Sequence, residues 1–366
     1  MSQVVFILGA GASRQAGAPL MADFLDRAEH LMAKGRVPEH EKHFRKVFEA
    51  IARLQSVNYK SYLDLDNLES VFAAFEMGKL TGTLGGLSRE QIEDLVGSMR
   101  WVIWSTLENT MNFPGGEGRE GSLPGIPVPY RSFAELVRDL NASGSVRCSV
   151  ITLNYDLALD YALARIGPGP AYCLATSTEA GTPLLKLHGS LNWCECKTCK
   201  AIVPWEIRDF FQRFHYDEFA LREAESVHLD LSRHLSRSGL KHCDEDIIPE
   251  PYIVPPTWNK AQYHASLSRV WGRAAQELGT AEYVFVSGYS LPDTDMFFRY
   301  LFALGITGET RVKRFCVYDP NPDDVGPRFE KLLGSGLRQR FEVKEATFGT
   351  AIGEARGELK GSVLKG

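Results

Sequence analysis

Several short segments of the chain hold residues whose types and spacing suit chemistry on a charged small molecule. Gly9-Ala-Gly-Ala-Ser13 follows the apolar run Val4-Val-Phe-Ile-Leu8 and precedes Ala16-Gly-Ala-Pro19 and a helical pattern. Gly9, Gly11, Ala12 and Ser13 therefore sit where backbone amides and a helix N-terminus meet a pyrophosphate, with glycine allowing close approach of the main chain. A tight strand-to-helix turn without a ligand explains the glycine pair equally well, and the spacing is not G-x-G-x-x-G. Thr152-Leu-Asn-Tyr-Asp156 ends a second apolar run. Asn154 there suits holding a ribose hydroxyl or orienting a water, while Asp156 also reads as the cap of the next helix. Lys186-Leu-His188-Gly-Ser190 ends a third run, and the imidazole of His188 titrates near neutrality, as a general acid or base must.

Two further loops and one cysteine cluster complete the set. Gly288-Tyr-Ser-Leu-Pro292 and Tyr318-Asp-Pro-Asn321 each follow an apolar run. Gly288, Ser290, Asp319 and Asn321 are candidates for adenosine hydroxyls or the adenine edge, although Asp-Pro-Asn-Pro is a good turn in any protein. Cys194-x-Cys196-x-x-Cys199, with His242-Cys243 downstream, offers soft ligands spaced for tetrahedral zinc. Cys196, Cys199 and Cys243 supply three of them, and Cys194 or His242 completes the four; a metal-free knuckle is the alternative.

The elements that must position these residues follow from periodicity. Val4 to Leu8, Ser149 to Leu153, Leu184 to Leu187, Tyr283 to Val286 and Arg314 to Val317 are short, apolar and bounded by turn residues, as buried parallel strands are, and a last strand lies near Phe341 to Val343. Helical spacing occupies Leu20 to Met32, Phe133 to Leu140, Ala158 to Ile166, Leu267 to Leu278 and Met296 to Leu304. This alternation predicts an α/β fold: a doubly wound, mostly parallel, six-stranded Rossmann-like sheet built from residues 1–38, 131–191 and 256–348. All the strand-end motifs then fall at one carboxyl edge, where open α/β sheets bind ligands. Residues 39–112 read as a helical insertion, 113–130 as a Gly/Pro-rich loop, and 192–255 as a small cysteine-knuckle module with a charged helix from Glu218 to Arg237. The tail 349–366 contains glycine and lysine with weak patterning, which predicts fraying or an oligomer contact.

Bulk properties narrow the class. The chain has 366 residues, 44% of them apolar, enough for a substantial core. A net charge of −5 with interspersed signs gives no electrostatic footprint for nucleic acid. No signal segment or membrane-length apolar run is read, and seven cysteines, an odd number partly clustered, fit a reducing compartment, so a cytoplasmic protein is expected.

Taken in order, GAGAS then AG, TLNYD, KLHGS, a cysteine knuckle, GYSLP and a closing DPN loop, the chain resembles the sirtuin family over most of its length. KLHGSLNW and Ile253-Val-Pro-Pro-Thr-Trp258 are similar to the bacterial sirtuin-like branch found in anti-phage defence, whose members hydrolyse NAD. The resemblance implies NAD as substrate, Asn154 and His188 as the catalytic pair, Gly9, Gly11, Ala12 and Ser13 as the pyrophosphate loop, and Asp156 near the nicotinamide carboxamide. It also implies a homo-oligomer, with a HerA-type ATPase or an argonaute-type protein as partner. Two departures count against acyl-lysine chemistry. Pro19-Leu-Met-Ala22 stands where sirtuin deacylases carry Pro-Asp-Phe-Arg, and Leu153 stands where they carry glutamine. The expected function is an NAD glycohydrolase; an NAD-dependent deacylase and a non-catalytic NAD or ADP-ribose sensor are the alternatives.

Overall fold

The computed structural model describes residues 2–56, 61–115, 123–175, 179–207, 226–228, 231, 235, 239–254, 261–293, 295–308 and 311–362. Its centre is a parallel sheet of strands β1 (Ser2–Leu8), β2 (Val146–Thr152), β3 (Pro170–Ala171), β4 (Thr182–Lys186), β5 (Tyr283–Ser287), β6 (Arg314–Asp319) and β7 (Phe341–Glu345). They lie side by side in the order β7-β6-β5-β1-β2-β4-β3. Val4, Val5, Ile7, Val284 and Val286 are fully buried, as expected where helices cover both faces of a sheet. The expected six strands are present. The seventh, β3, is two residues long and begins at Pro170, which gave it no apolar run to be read from.

Helices α1 (Phe24–Ala33), α2 (Glu41–Gln55), α3 (Leu68–Thr81) and α4 (Arg89–Thr110) precede the crossover helix α5 (Val128–Ala142); α6 (Ala158–Ile166), α7 (Ala261–Gly279), α8 (Met296–Gly305), α9 (Pro322–Leu332) and α10 (Phe348–Ser362) follow. Between residues 39 and 112, the expected helical insertion, the described residues are mostly helical. Phe44, Val47, Phe72, Phe75, Ile92, Met99 and Ile103 bury against one another within it, in a core continuous with that of the sheet. Ser88 opens α4 with a capping box closed by Gln91, which satisfies two amide groups that a helix start leaves unpaired.

Three expectations change. Most of 218–237 lies outside the described residues, and Ser226–Val227 within it forms a strand against Phe113–Pro114, so no unbroken helix runs through that segment. The Gly/Pro-rich loop is shorter than read, because α5 already starts at Val128 with proline in its first turn. The tail is a helix. Phe348, Ile352, Ala355 and Leu359 form its buried stripe, which glycines at 349, 353, 357 and 361 dilute in the sequence. Arg356 ties the helix to Asp139 of α5 at 2.9 Å. Packing of the stripe outweighs the propensity cost of about 1 kcal/mol per glycine.

Among the described residues no helix is long and apolar enough to cross a membrane. Leu359 is 0% exposed, so Leu359→Ala should lower the free energy of unfolding by about 2–5 kcal/mol. Urea titration followed by circular dichroism checks it, and an unchanged midpoint would mean that α10 is not part of the core.

Candidate functional site

The strand order places a crevice between β1 and β5. From β1 the chain winds outward through β2 and β4, and after α7 it returns to β5 on the other side of β1. That reversal is the topological switch point, outside whose carboxyl ends open α/β sheets take their ligands.

Two backbone turns cross there. Gly11 N donates to Gly288 O at 2.9 Å, and Gly9 N donates to Ser287 O at 3.2 Å. A Cβ at Gly288 would lie 2.2 Å from Ala12 N, and one at Gly9 would lie 2.5 Å from Gly288 O; Gly288 also has φ +65°. No other residue fits such a crossing without displacing backbone. The glycines thus let the two turns pass at contact distance. The amides of Gly9, Gly11 and Ala12 all donate within the fold, and the helix after Gly9 is only Ala10–Ser13.

Ser13 is the hub of what lies beside the crossing. Its Oγ donates to Asp156 Oδ2 at 2.5 Å and accepts from Asn154 Nδ2 at 2.9 Å. Tyr130 OH lies 2.6 Å from the same oxygen, and with the single Ser13 proton directed to Asp156, the tyrosine is the donor. Asn154 Nδ2 also donates to Gly9 O at 2.9 Å. Both amide hydrogens of Asn154 are therefore engaged, and among the described residues the carbonyl oxygen of its half-buried side chain has no hydrogen-bond partner. Thr152 fixes the approach, donating to Leu8 O and accepting from Asn154 N.

Asp156 is buried and has both carboxylate oxygens occupied, Oδ2 by Ser13 and Oδ1 by the amide of Ala158 at 3.0 Å. Burial raises its pKa, against the opposing charge of Lys186. Lys186 is itself fully buried. Its Nζ donates to Asp156 O at 2.6 Å and Asp160 Oδ2 at 2.9 Å, with both ends of the ion pair about 1% exposed. Tyr172 OH donates to Asp160 Oδ1, and Asn192 Nδ2 donates to Tyr172 OH and to Trp205 O. A buried charge pair is tolerated only when every remaining donor and acceptor is met in this way.

His188 leaves β4 at the height at which Asn154 leaves β2, because Thr152 pairs with Lys186 across the two strands. It is 7% exposed, its ring centroid lies 6.2 Å from that of Tyr155, and its carbonyl accepts from Val254 N at 2.7 Å. Ser290, Asp319 and Asn321 stand at the carboxyl edge of β5 and β6, more loosely held. Ser290 and Asn321 are exposed, and Asp319 Oδ1 accepts from the amide of Asn321 within its own turn.

The sequence reading gave no role to Tyr130 or Lys186. A crossover helix runs antiparallel to the strands it joins, so its first turn lies at the carboxyl edge, and Tyr130 is in the first turn of α5. Lys186, a lysine that closes a strand directly after two leucines and is wholly buried, carried the second signal.

Cys196, Cys199, His242 and Cys243 form a separate cluster, with ligand atoms all within 4.8 Å of one another. Cys199 Sγ and Cys243 Sγ each lie 3.3 Å from His242 Nδ1, close to the roughly 3.5 Å edge of a tetrahedron built on zinc–sulfur and zinc–nitrogen bonds. Amides of Cys199 and Thr198 and the neighbouring His242 lower the Cys196 thiol to about 6, while the adjacent Cys199 and Cys196 push Cys243 up to about 11. Crowded thiols that ionise at one another's expense are the donor set a dication relieves. The expected ligand Cys194 is not part of it. That residue lies on the strand Trp193–Glu195, 0% exposed, with its thiol pushed up by burial; His242 takes the fourth place.

No family model matches the chain, and no curated protein matches it. Its fold is similar to solved Sir2 structures at low identity. One, from work on the mechanism and regulation of Sir2 enzymes, has 15% identity and a TM-score of 0.40, covering 98% of this chain and 91% of that one. A Sir2 homologue in complex with NAD has 14% identity and a TM-score of 0.36, covering 98% and 90%. These values are too low to bear on activity, and the chemistry rests on the site itself.

The cluster should hold one zinc per chain, lost in His242→Ala and Cys199→Ser and kept in Cys194→Ser. Metal analysis of the purified variants decides this, and loss of zinc in Cys194→Ser would reinstate that residue. The raised pKa of Asp156 means that the folded state holds its proton more tightly than the unfolded chain. Its contribution to stability is present below the ordinary carboxylate range and lost as pH rises through the raised value. Asp156→Asn should therefore flatten the dependence of the melting temperature on pH above 4, as thermal unfolding across pH would show.

Proposed function

We propose that the chain is an NAD glycohydrolase that releases nicotinamide and ADP-ribose. The observation that carries this reading is the pinned amide of Asn154. Its nitrogen is held by Gly9 O and Ser13 Oγ, which leaves the carbonyl oxygen, at the carboxyl edge of β2, as the acceptor for a ligand. An acceptor in that place suits a water or a ribose hydroxyl as the nicotinamide C–N bond opens through an oxocarbenium-like state.

In this reading Gly9, Gly11, Ala12 and Gly288 shape a close approach for the pyrophosphate, and Ser290, Asp319 and Asn321 meet the adenosine half. Asn154 orients the water. His188 accepts the proton that the water loses as its oxygen bonds to the ribose carbon, and the bonding pair leaves with nicotinamide. Asp156, occupied on both oxygens, acts through Ser13 to hold Asn154 and borders the carboxamide. The sequence resemblance extends this to depletion of NAD in anti-phage defence, by a homo-oligomer working with a HerA-type ATPase or an argonaute-type protein.

Purified protein incubated with NAD should release nicotinamide and ADP-ribose in equal amounts without a peptide. Asn154→Ala and His188→Ala should each slow release by about 10²–10⁴-fold. Release that requires an acetylated peptide and yields acyl-ADP-ribose would make the chain a deacylase. Tight NAD binding without turnover, unchanged by His188→Ala, would make it a sensor.

A further inference from the structure

A cavity of about 380 Å³ lies away from the crevice, where the turn after Ser13 meets the end of α4. None of Gly9, Gly11, Ser13, Asn154, Asp156 and His188 lines it. Its walls come from distant parts of the chain: Arg14 and Gly17 from the turn, Arg27 and His30 from α1, Asn112 beyond α4, and His228 beyond the strand Ser226–Val227. The volume falls within the range of small-molecule sites.

The wall is rigid where it touches α4. Gly17 has φ +96°, a Cβ there would lie 2.2 Å from Thr110 O, and Asn112 N donates to Ala16 O at 2.7 Å. His228 Nδ1 lies 3.0 Å from Met111 O, which seats the imidazole against the helix end.

The charge is one-sided. Among the described residues, two guanidiniums and two imidazoles share the cavity with one carboxylate, Asp23. Arg27 reaches Asp23 only at 3.9 Å, with the side chains 64% and 39% exposed, a geometry worth little in water. Arg14 and His30 make no ion pair or side-chain hydrogen bond among the described residues. Neutralising the carbonyl end of α4, which has no basic residue in its last turn, does not account for them. A helix end carries roughly half an elementary charge, and His228 already serves it.

We propose that this cavity is a second anion site, which takes a small phosphate-bearing molecule of the size of pyrophosphate or a sugar phosphate. Guanidiniums match phosphate oxygens in pairs. Among the described residues no phenylalanine, tyrosine or tryptophan lines the walls, and the proposed recognition is of the phosphates. Arg14 directly follows Ser13, so a ligand that draws on Arg14 acts one residue from the hydroxyl that holds Asn154. The binding itself does not depend on NAD cleavage.

Calorimetric titration with sodium pyrophosphate tests it on the whole chain. Wild type and the double variant Asn154→Ala/His188→Ala should each bind one equivalent. The double variant Arg14→Glu/Arg27→Glu should bind at least about tenfold more weakly, and Arg14→Gln should fall between. Arg14 and Arg27 are exposed, so the charge variants should keep the wild-type melting temperature. Two results would overturn the proposal: no binding by wild type, or undiminished binding by Arg14→Glu/Arg27→Glu, which would put pyrophosphate elsewhere, the crevice included. None of these outcomes bears on whether NAD is cleaved.

Discussion

Everything at the carboxyl edge depends on two backbone turns that pass at contact distance. The turn after β1 and the turn after β5 touch through Gly9, Gly11 and Gly288, with no room for a single added carbon between them. This contact closes the floor of the switch-point crevice and fixes the height of Ser13. Because Ser13 Oγ then meets Asn154, Asp156 and Tyr130 within 2.9 Å, one hydroxyl converts the placement of a loop into the orientation of an amide. The steric constraint sits at the start of the chain, and its chemical consequence sits at the end of β2.

Such a cluster is costly to bury. Asp156, Asp160, Lys186, Ser190 and Asn192 are all nearly or fully buried, and each carries groups that water would otherwise solvate. The fold meets the cost by continuity. Lys186 bridges the Asp156 backbone to Asp160, Tyr172 and Asn192 extend the chain of bonds, and Asn192 ends it on Trp205 O. Removing either partner of such a pair strands a charge. The loop that bears Asn154 is thereby tied to the strands that lead into the cysteine cluster.

Much of this was legible from residue order. Strand ends read from Leu8, Leu153, Leu187 and Val286 place TLNYD, KLHGS and GYSLP at one edge, because parallel strands joined by helices leave no other arrangement. What was not legible depended on contacts between distant segments. The glycines of GAGAS announced a close approach, yet only the structure shows that the approaching group is Gly288. Tyr130 lay hidden in a proline-rich stretch, and the α10 stripe was masked by glycines at every fourth position. His242 replaced Cys194 as a cluster member because Cys194 lies on a strand facing the core, a matter of facing that ligand spacing does not encode.

Ser13 fixes the amide of Asn154 by accepting from its nitrogen, and Ser13→Ala tests what that hold does for catalysis without adding bulk. Steady-state nicotinamide release from NAD should show kcat reduced by about 10–100-fold with KM little changed, the pattern of a lost transition-state orientation. An unchanged kcat in a variant with the wild-type melting temperature would contradict a catalytic role for that hold.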